Sequence, residues 1–181
     1  MKSKVILNFC VNSLSVVIFI AVLLVQACGS DSDSSEAGTG LTFKVVGTKL
    51  TDPCGETVTL KGVNKMSVFD EQDLYGRNYF PEIAKTNSNC VRIVWQATYS
   101  NGAPSLLPQL DSLIKNCIKN KMIPMVEMHD ATCDWNVLGA VVNYWIKPEV
   151  IQIVQRYEHA LLVNIANEAG DAGESEVEYS E

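Results

Sequence analysis

The chain has 181 residues, 47% of them hydrophobic, with 21 acidic against 14 basic side chains and a formal net charge of -7. Lysine and arginine form no cluster beyond the first few residues, so the basic footprint of a nucleic-acid binder is missing and no nucleic-acid partner is expected. None of the six cysteines stands in a CxxC pair, which argues against zinc, and no metal site is expected.

Residues 1–27 read as a secretory signal. Two lysines in Met1 to Lys4 precede an apolar run, densest at "VVIFIAVLLV" (Val16 to Val25), shorter than the roughly 20 apolar residues a membrane span needs. The run closes on "VQAC". A small residue before a cysteine resembles the bacterial lipobox, in which the cysteine becomes the lipidated N-terminus. Cys28 is therefore the expected lipidation site. The protein is expected to be exported and lipid-anchored in the bacterial cell envelope, with simple cleavage to a secreted form or a retained anchor helix as alternatives. Residues 28–40, "CGSDSDSSEAGTG", are small, polar and acidic. They have too little to bury to offset the entropy of ordering, and form a tether.

From Leu41 the pattern changes. Two β-rich segments flank a turn at "DPCGE", where Pro53 and Gly55 suit the turn, and the hairpin leads into a strand at Thr59 to Asn64. A polar and aromatic loop follows, then a short helix at Pro81 to Thr86 with its proline in the first turn. "CVRIVW" (Cys90 to Trp95) is a compact β-branched strand. Leu106, Leu107, Leu110, Leu113, Ile114, Cys117 and Ile118 recur at helical spacing, which predicts an amphipathic helix from Ser105 to about Asn120. "MIPMVEMHD" is another strand. A helical stretch from Leu138 to Tyr157 is broken at Pro148, which starts a new helix, and "ALLVNIANEAG" closes the series. Cys117 on the helix stripe and Cys90 at a strand start read equally well as small buried hydrophobes. The export context also permits disulfides among Cys54, Cys90, Cys117 and Cys133.

Strand thus alternates with helix, and the strands begin near residues 59, 90, 122 and 161, close to the roughly 31 residues per unit of a (β/α)8 barrel. Such a sheet is parallel and covered by helices. An open doubly wound sheet would show similar spacing, but "KGVNKMSVF" lacks the glycine-rich phosphate loop of a nucleotide site. Polar residues collect instead at strand ends: Asn64, Arg92 with Trp95, His129 with Asp130, and Asn167 with Glu168. Barrel enzymes build their sites from such ends. The fold class is therefore α/β, a partial (β/α)8 barrel of about the first four strands with three helical connections, preceded by a short β-hairpin. Singly, each polar residue has a plain alternative: Arg92 pairing with an acid, His129 satisfied in the core, Glu168 capping a turn.

Glu168, at the mouth of an apolar strand, is expected to be partly desolvated, which disfavours its charged form and suits a general acid. Glycoside hydrolysis needs such an acid and a second carboxylate, about 5–5.5 Å away in retaining enzymes. Asn167 beside it can donate to a sugar hydroxyl. Glu127 lies two residues before His129 and so on the same strand face, as an interior residue rather than a nucleophile.

In order, "LKGVN", "PEIAKT", "NCVRIVW", "LDSLIKNCIKNKMIPMVEMHDAT", "NYW" and "LLVNIANEAG" resemble the N-terminal half of glycoside hydrolase family 5, in its bacterial β-mannanase-like and endoglucanase-like branches. The resemblance runs from about Phe43 to Gly170. It implies a (β/α)8 barrel and retaining hydrolysis of β-1,4-glycan, mannan or cellulose, with no cofactor. It assigns Glu168 as acid/base, Asn167 as its substrate-binding neighbour, Arg92 as support for the catalytic carboxylates and His129 as a substrate-side histidine. Trp95 and Trp135 are candidate sugar-stacking surfaces, with core packing as the alternative.

The sequence departs from the family in places. The nucleophile belongs to the seventh strand, and no residue here matches it, so residues 41–171 are read as half a barrel, inactive alone, and residues 172–181 as an acidic tail outside the family pattern. Cys133 stands where relatives usually have glycine, and Ala169 where an aromatic is common. The alternative function is a non-catalytic surface glycan-binding lipoprotein. Open sheet edges predict self-association in either case.

Overall fold

The computed structural model describes residues 41–99 and 102–170. The expected signal, the expected lipidation site Cys28, the expected tether and the acidic tail lie outside the described residues.

Three short strands, β1 (Lys44–Val46), β2 (Lys49–Thr51) and β3 (Thr57–Val58), form an antiparallel sheet in that order. The "DPCGE" turn joins β2 to β3, with the Asp52 carboxylate accepting from the backbone N–H groups of Cys54 and Glu56, both at 2.9 Å. The expected hairpin is thus a three-stranded meander. The strand expected at Thr59 to Asn64 is β4, which runs from Gly62 to Lys65 and opens a second sheet. Asn89 holds the segment between β3 and β4, accepting from Lys61 N (2.7 Å) and donating to Thr59 O (2.9 Å).

The second sheet is parallel, in the order β4, β5 (Cys90–Trp95), β6 (Ile123–Met128), β7 (Leu162–Asn164). Helices make every crossover. α1 (Tyr79–Ala84) links β4 to β5, α2 (Leu107–Lys119) links β5 to β6, and α3 (Leu138–Trp145) with α4 (Pro148–Arg156) link β6 to β7. This is the partial (β/α) barrel expected, four strands and three helical connections. Pro148 begins α4, as predicted, because its fixed φ and missing N–H are tolerated in a first turn.

Helix ends are set locally. In α1 the Asp73 carboxylate accepts from the backbone of Arg77 (2.8 Å), Asn78 (3.1 Å) and Tyr79 (2.9 Å), satisfying donors that the helix start leaves orphaned. In α2 the chain leaves through Lys121 at φ +60°. Its N–H reaches Ile118 O at 2.8 Å, and Met122 N–H reaches Cys117 O at 3.2 Å, which is the Schellman pattern.

Pleating divides the parallel sheet. Val91, Ile93, Trp95, Val126 and Met128 face the helices and bury against Leu110, Leu113, Ile114, Val141, Val150 and Ile153. Arg92, Val94, Met125, Glu127 and Asn164 share the other face, by alternation and strand register. Cys90 and Cys117 are buried free thiols and Cys133 an exposed one, so no disulfide joins these three. Burial raises the thiol pKa values of Cys90 and Cys117.

Candidate active site

Of the residues expected at strand ends, Arg92, His129 and Asn167 come together, around Glu127. Arg92, on β5, donates from Nη2 to Asn167 Oδ1 beyond the end of β7. The same Nη2 lies 3.4 Å from Glu127 Oε2 on β6. His129 Nδ1 lies 3.1 Å from Glu127 Oε1. Asn167 is held from three sides: its N–H donates to Met128 O (2.9 Å), its Nδ2 donates to Thr132 Oγ1 (2.9 Å), and its carbonyl accepts from the Thr132 hydroxyl (3.2 Å). The side-chain amide is thus fixed with one N–H left over.

Glu127 is the electrostatic centre of this cluster. It is 0% exposed, and burial raises its carboxyl pKa, a shift that the His129 hydrogen bond and the Arg92 charge oppose and that nearby Glu168 reinforces. Its Oε2 has no hydrogen bond among the described residues, since the Arg92 contact is an ion pair with longer geometry. Sequence parity had placed Glu127 on the His129 face; its complete burial came from packing against Arg92 and His129.

Glu168 itself is exposed, which corrects the expectation that it is the desolvated carboxylate. The reason is where the strand stops. β7 ends at Asn164, two residues before the apolar run does, and Glu168 follows in a bend beyond the strand, after exposed Ile165 and buried Asn167. Glu168 takes φ +41° and Cys133 φ +57°, a left-handed backbone uncommon for side-chain-bearing residues. The two are joined, Cys133 N–H donating to Glu168 O at 3.1 Å, beside a bridge between Thr132 and Ala169. This explains the departure at Cys133: the position requires a conformation that glycine adopts freely.

Trp95 is a second correction. It is 0% exposed, and its indole N–H donates to Tyr144 Oη at 2.8 Å across to α3. It has no face to offer a sugar, because it stands on the helix side of β5, opposite in parity to Arg92. Trp135 is 42% exposed in a 3-10 turn after β6, at the same end of the strands as the cluster. Phe69, half exposed after β4, meets the His129 ring edge-on with centroids 6.1 Å apart. Asn64 is exposed on β4. Thr132, the clamp on Asn167, went unnoticed in the sequence because its role depends on a partner 35 residues away.

A parallel βα sheet whose second, third and fourth strands bring an arginine, a glutamate–histidine pair and an Asn-Glu dipeptide to one end has the arrangement from which (β/α) barrel enzymes build their sites. No family model matches the chain. It is 30% identical over 131 residues to the mannan endo-1,4-beta-mannosidase of Salipaludibacillus agaradhaerens, covering 70% of this chain and 40% of that protein. It matches the β-mannanase of Thermomonospora fusca, solved with mannohexaose, at 25% identity and TM-score 0.63, over 71% of this chain and 43% of that one. The mannanase catalytic domain of Streptomyces sp. SirexAA-E shares the fold at TM-score 0.64 and 20% identity, over 82% and 46% of the two chains. The chain is thus similar, in sequence and in fold, to mannanase-type glycoside hydrolases, and spans less than half the length of each of these relatives.

Proposed function

We propose that this chain carries the acid/base side of a retaining β-1,4-glycanase site, acting on mannan or cellulose. The observation that supports it is the Arg92–Asn167–Glu127–His129 network, which fixes the backbone immediately before Glu168 at the mouth of the sheet. In this reading Glu168 protonates the departing glycosidic oxygen and later takes a proton from the attacking water. The remaining N–H of Asn167 donates to a sugar hydroxyl, a bond of the kind that strengthens in the transition state. His129 contacts substrate on the near side, and Trp135 offers an aromatic face. The retaining route requires a second, nucleophilic carboxylate. Glu127 does not serve as that group, being wholly buried and committed to His129 and Arg92. On this reading residues 41–170 supply the acid/base and substrate contacts but not the nucleophile, and by themselves are expected to bind glycan without cleaving it.

The burial of Glu127 favours a second reading equally well, a glycan-binding lipoprotein with no turnover. In either reading the protein is exported and held at the cell envelope by lipid on Cys28. Incorporation of labelled palmitate, lost in Cys28→Ser, tests the anchor. For the site, the full chain is incubated with soluble mannan and with carboxymethylcellulose. Retardation on a glycan-containing gel without release of reducing ends is expected. Hydrolysis would contradict the inactive reading, and absence of binding to both polymers would remove the glycan reading altogether.

A further inference from the structure

The torsion that turns an asparagine's amide plane is broad and roughly two-fold, so nothing intrinsic to Asn167 decides where its N–H groups point. Its neighbours decide it. Arg92 can only donate, and its Nη2 takes Asn167 Oδ1. The other end of the amide falls to Thr132, whose Oγ1 accepts from Asn167 Nδ2 at 2.9 Å and whose hydroxyl donates to the Asn167 carbonyl at 3.2 Å. One hydroxyl thus bridges the side chain and the main chain of the same asparagine. The backbone around it is held from the same quarter: Asn167 N–H donates to Met128 O at 2.9 Å, Thr132 bridges to Ala169, and Cys133 N–H donates to Glu168 O at 3.1 Å. Met128, Thr132 and Cys133 lie on β6 and in the loop directly after it.

We infer that Thr132 is a positioning residue of the candidate site: by anchoring Nδ2 it locks the amide plane of Asn167, so that one N–H in one direction is left for a sugar hydroxyl. Its own hydroxyl proton is committed to the Asn167 carbonyl, so Thr132 acts through Asn167 rather than by touching glycan. A β-branched side chain suits the task, because its χ1 is stiff and the oxygen stays where it is placed. With Thr132 silenced, Arg92 still holds Oδ1, but the amide swings about that single contact and its two N–H groups compete for the same hydroxyl. Binding must then order the amide as well as the sugar, which weakens it. The inference rests on the sugar-binding role given to Asn167 above, and adds the residue that sets its orientation.

The test compares Thr132→Val, which keeps the shape and removes the hydroxyl, with Thr132→Ser, which keeps the hydroxyl, in the full chain. Affinity for soluble mannan and for carboxymethylcellulose is read per folded molecule by gel retardation, and the two side-chain amide protons of Asn167 are followed by nitrogen-edited NMR. Thr132→Val should weaken retardation about three- to tenfold, the worth of one hydrogen bond, and bring the two amide protons together in chemical shift. Thr132→Ser should restore both. A merely structural threonine would lower stability and leave affinity per folded molecule unmoved, and that result overturns the inference, as does a serine variant no better than the valine one. If Thr132→Val fails to fold, the unaltered chain decides: one amide proton shifted downfield and close to the Thr132 side chain supports the inference, and two equivalent protons overturn it. Absence of glycan binding by the unaltered chain removes the glycanase reading and this inference together. Binding that Thr132→Val retains in full removes this inference alone.

Discussion

Arg92 donates to the side-chain oxygen of Asn167, 75 residues further along the chain, and the same guanidinium nitrogen lies 3.4 Å from Glu127. One side chain thereby ties the second strand of the parallel sheet to the third and to the end of the fourth. Arg92→Ala leaves a buried carboxylate without its opposing charge and Asn167 Oδ1 without its donor. Urea denaturation should show a loss of about 3 kcal/mol, the low end of the roughly 3–5 kcal/mol for breaking a buried pair, because Arg92 is partly exposed. Arg92→Lys should recover part of it. No change in midpoint would mean that the network does not hold the sheet.

Glu127 has a raised carboxyl pKa from burial. For a carboxylate whose folded pKa lies above its unfolded value, the folded state binds the extra proton. The stability this provides is complete below the ordinary 4.5 and is lost as pH rises through the folded value. Glu127→Gln should remove that slope. Unfolding free energies measured from about pH 4 to 8 should therefore move against the parent and toward the variant as pH rises. Parallel curves would show that Glu127 does not titrate there.

Trp95 and Trp135 should separate cleanly. Trp95→Phe loses the hydrogen bond to Tyr144, whose own pKa burial pushes up to about 12, and should cost roughly 1–3 kcal/mol. It should leave glycan affinity per folded molecule unchanged. Trp135→Ala should weaken glycan retardation per folded molecule, since its ring is 42% exposed at the strand-end side. The opposite assignment of effects would restore Trp95 to the site.

Gly62 is fixed by a close approach. A Cβ there would stand 2.0 Å from Cys90 O, a backbone atom of the neighbouring strand. Gly62→Ala should cost about 3 kcal/mol or more, the top of the overpacking range, because backbone cannot swing aside. Hydrogen exchange should localise the damage to the pairing of β4 with β5. An unaffected exchange pattern would contradict this close approach.

Asp70 sits against Lys65, whose ammonium hydrogen bond is the leading cause that holds the carboxyl below the ordinary 3.8. A depressed carboxyl contributes stability above its unfolded value and loses it as pH falls through the folded one. Lys65→Met should bring the Asp70 titration, followed by carboxyl carbon NMR, back up toward 3.8. An unmoved titration would assign the shift to the backbone donors of the loop instead.

Local pattern determined the order of elements, because hydrophobic period and proline chemistry act within a few residues: the helix stripe from Leu107 to Ile118, the restart at Pro148 and the strand at Cys90 all lie where the sequence places them. It also ranked parity. Arg92 and Trp95 are three residues apart on one strand, so they must face opposite sides, and that alternation alone argues against a shared site. Glu127 and His129, two apart, must share a face. What the chain could not declare locally is which carboxylate leaves water. An apolar run ending in Asn167 and Glu168 suggested that Glu168 does, yet burial depends on neighbours supplied by other strands. The tertiary structure closes Arg92 and His129 over Glu127 and leaves Glu168 exposed. The same reason puts Thr57–Val58 in the antiparallel sheet and Gly62–Lys65 in the parallel one: strand pairing is a choice between distant partners, and only the assembled sheets decide it.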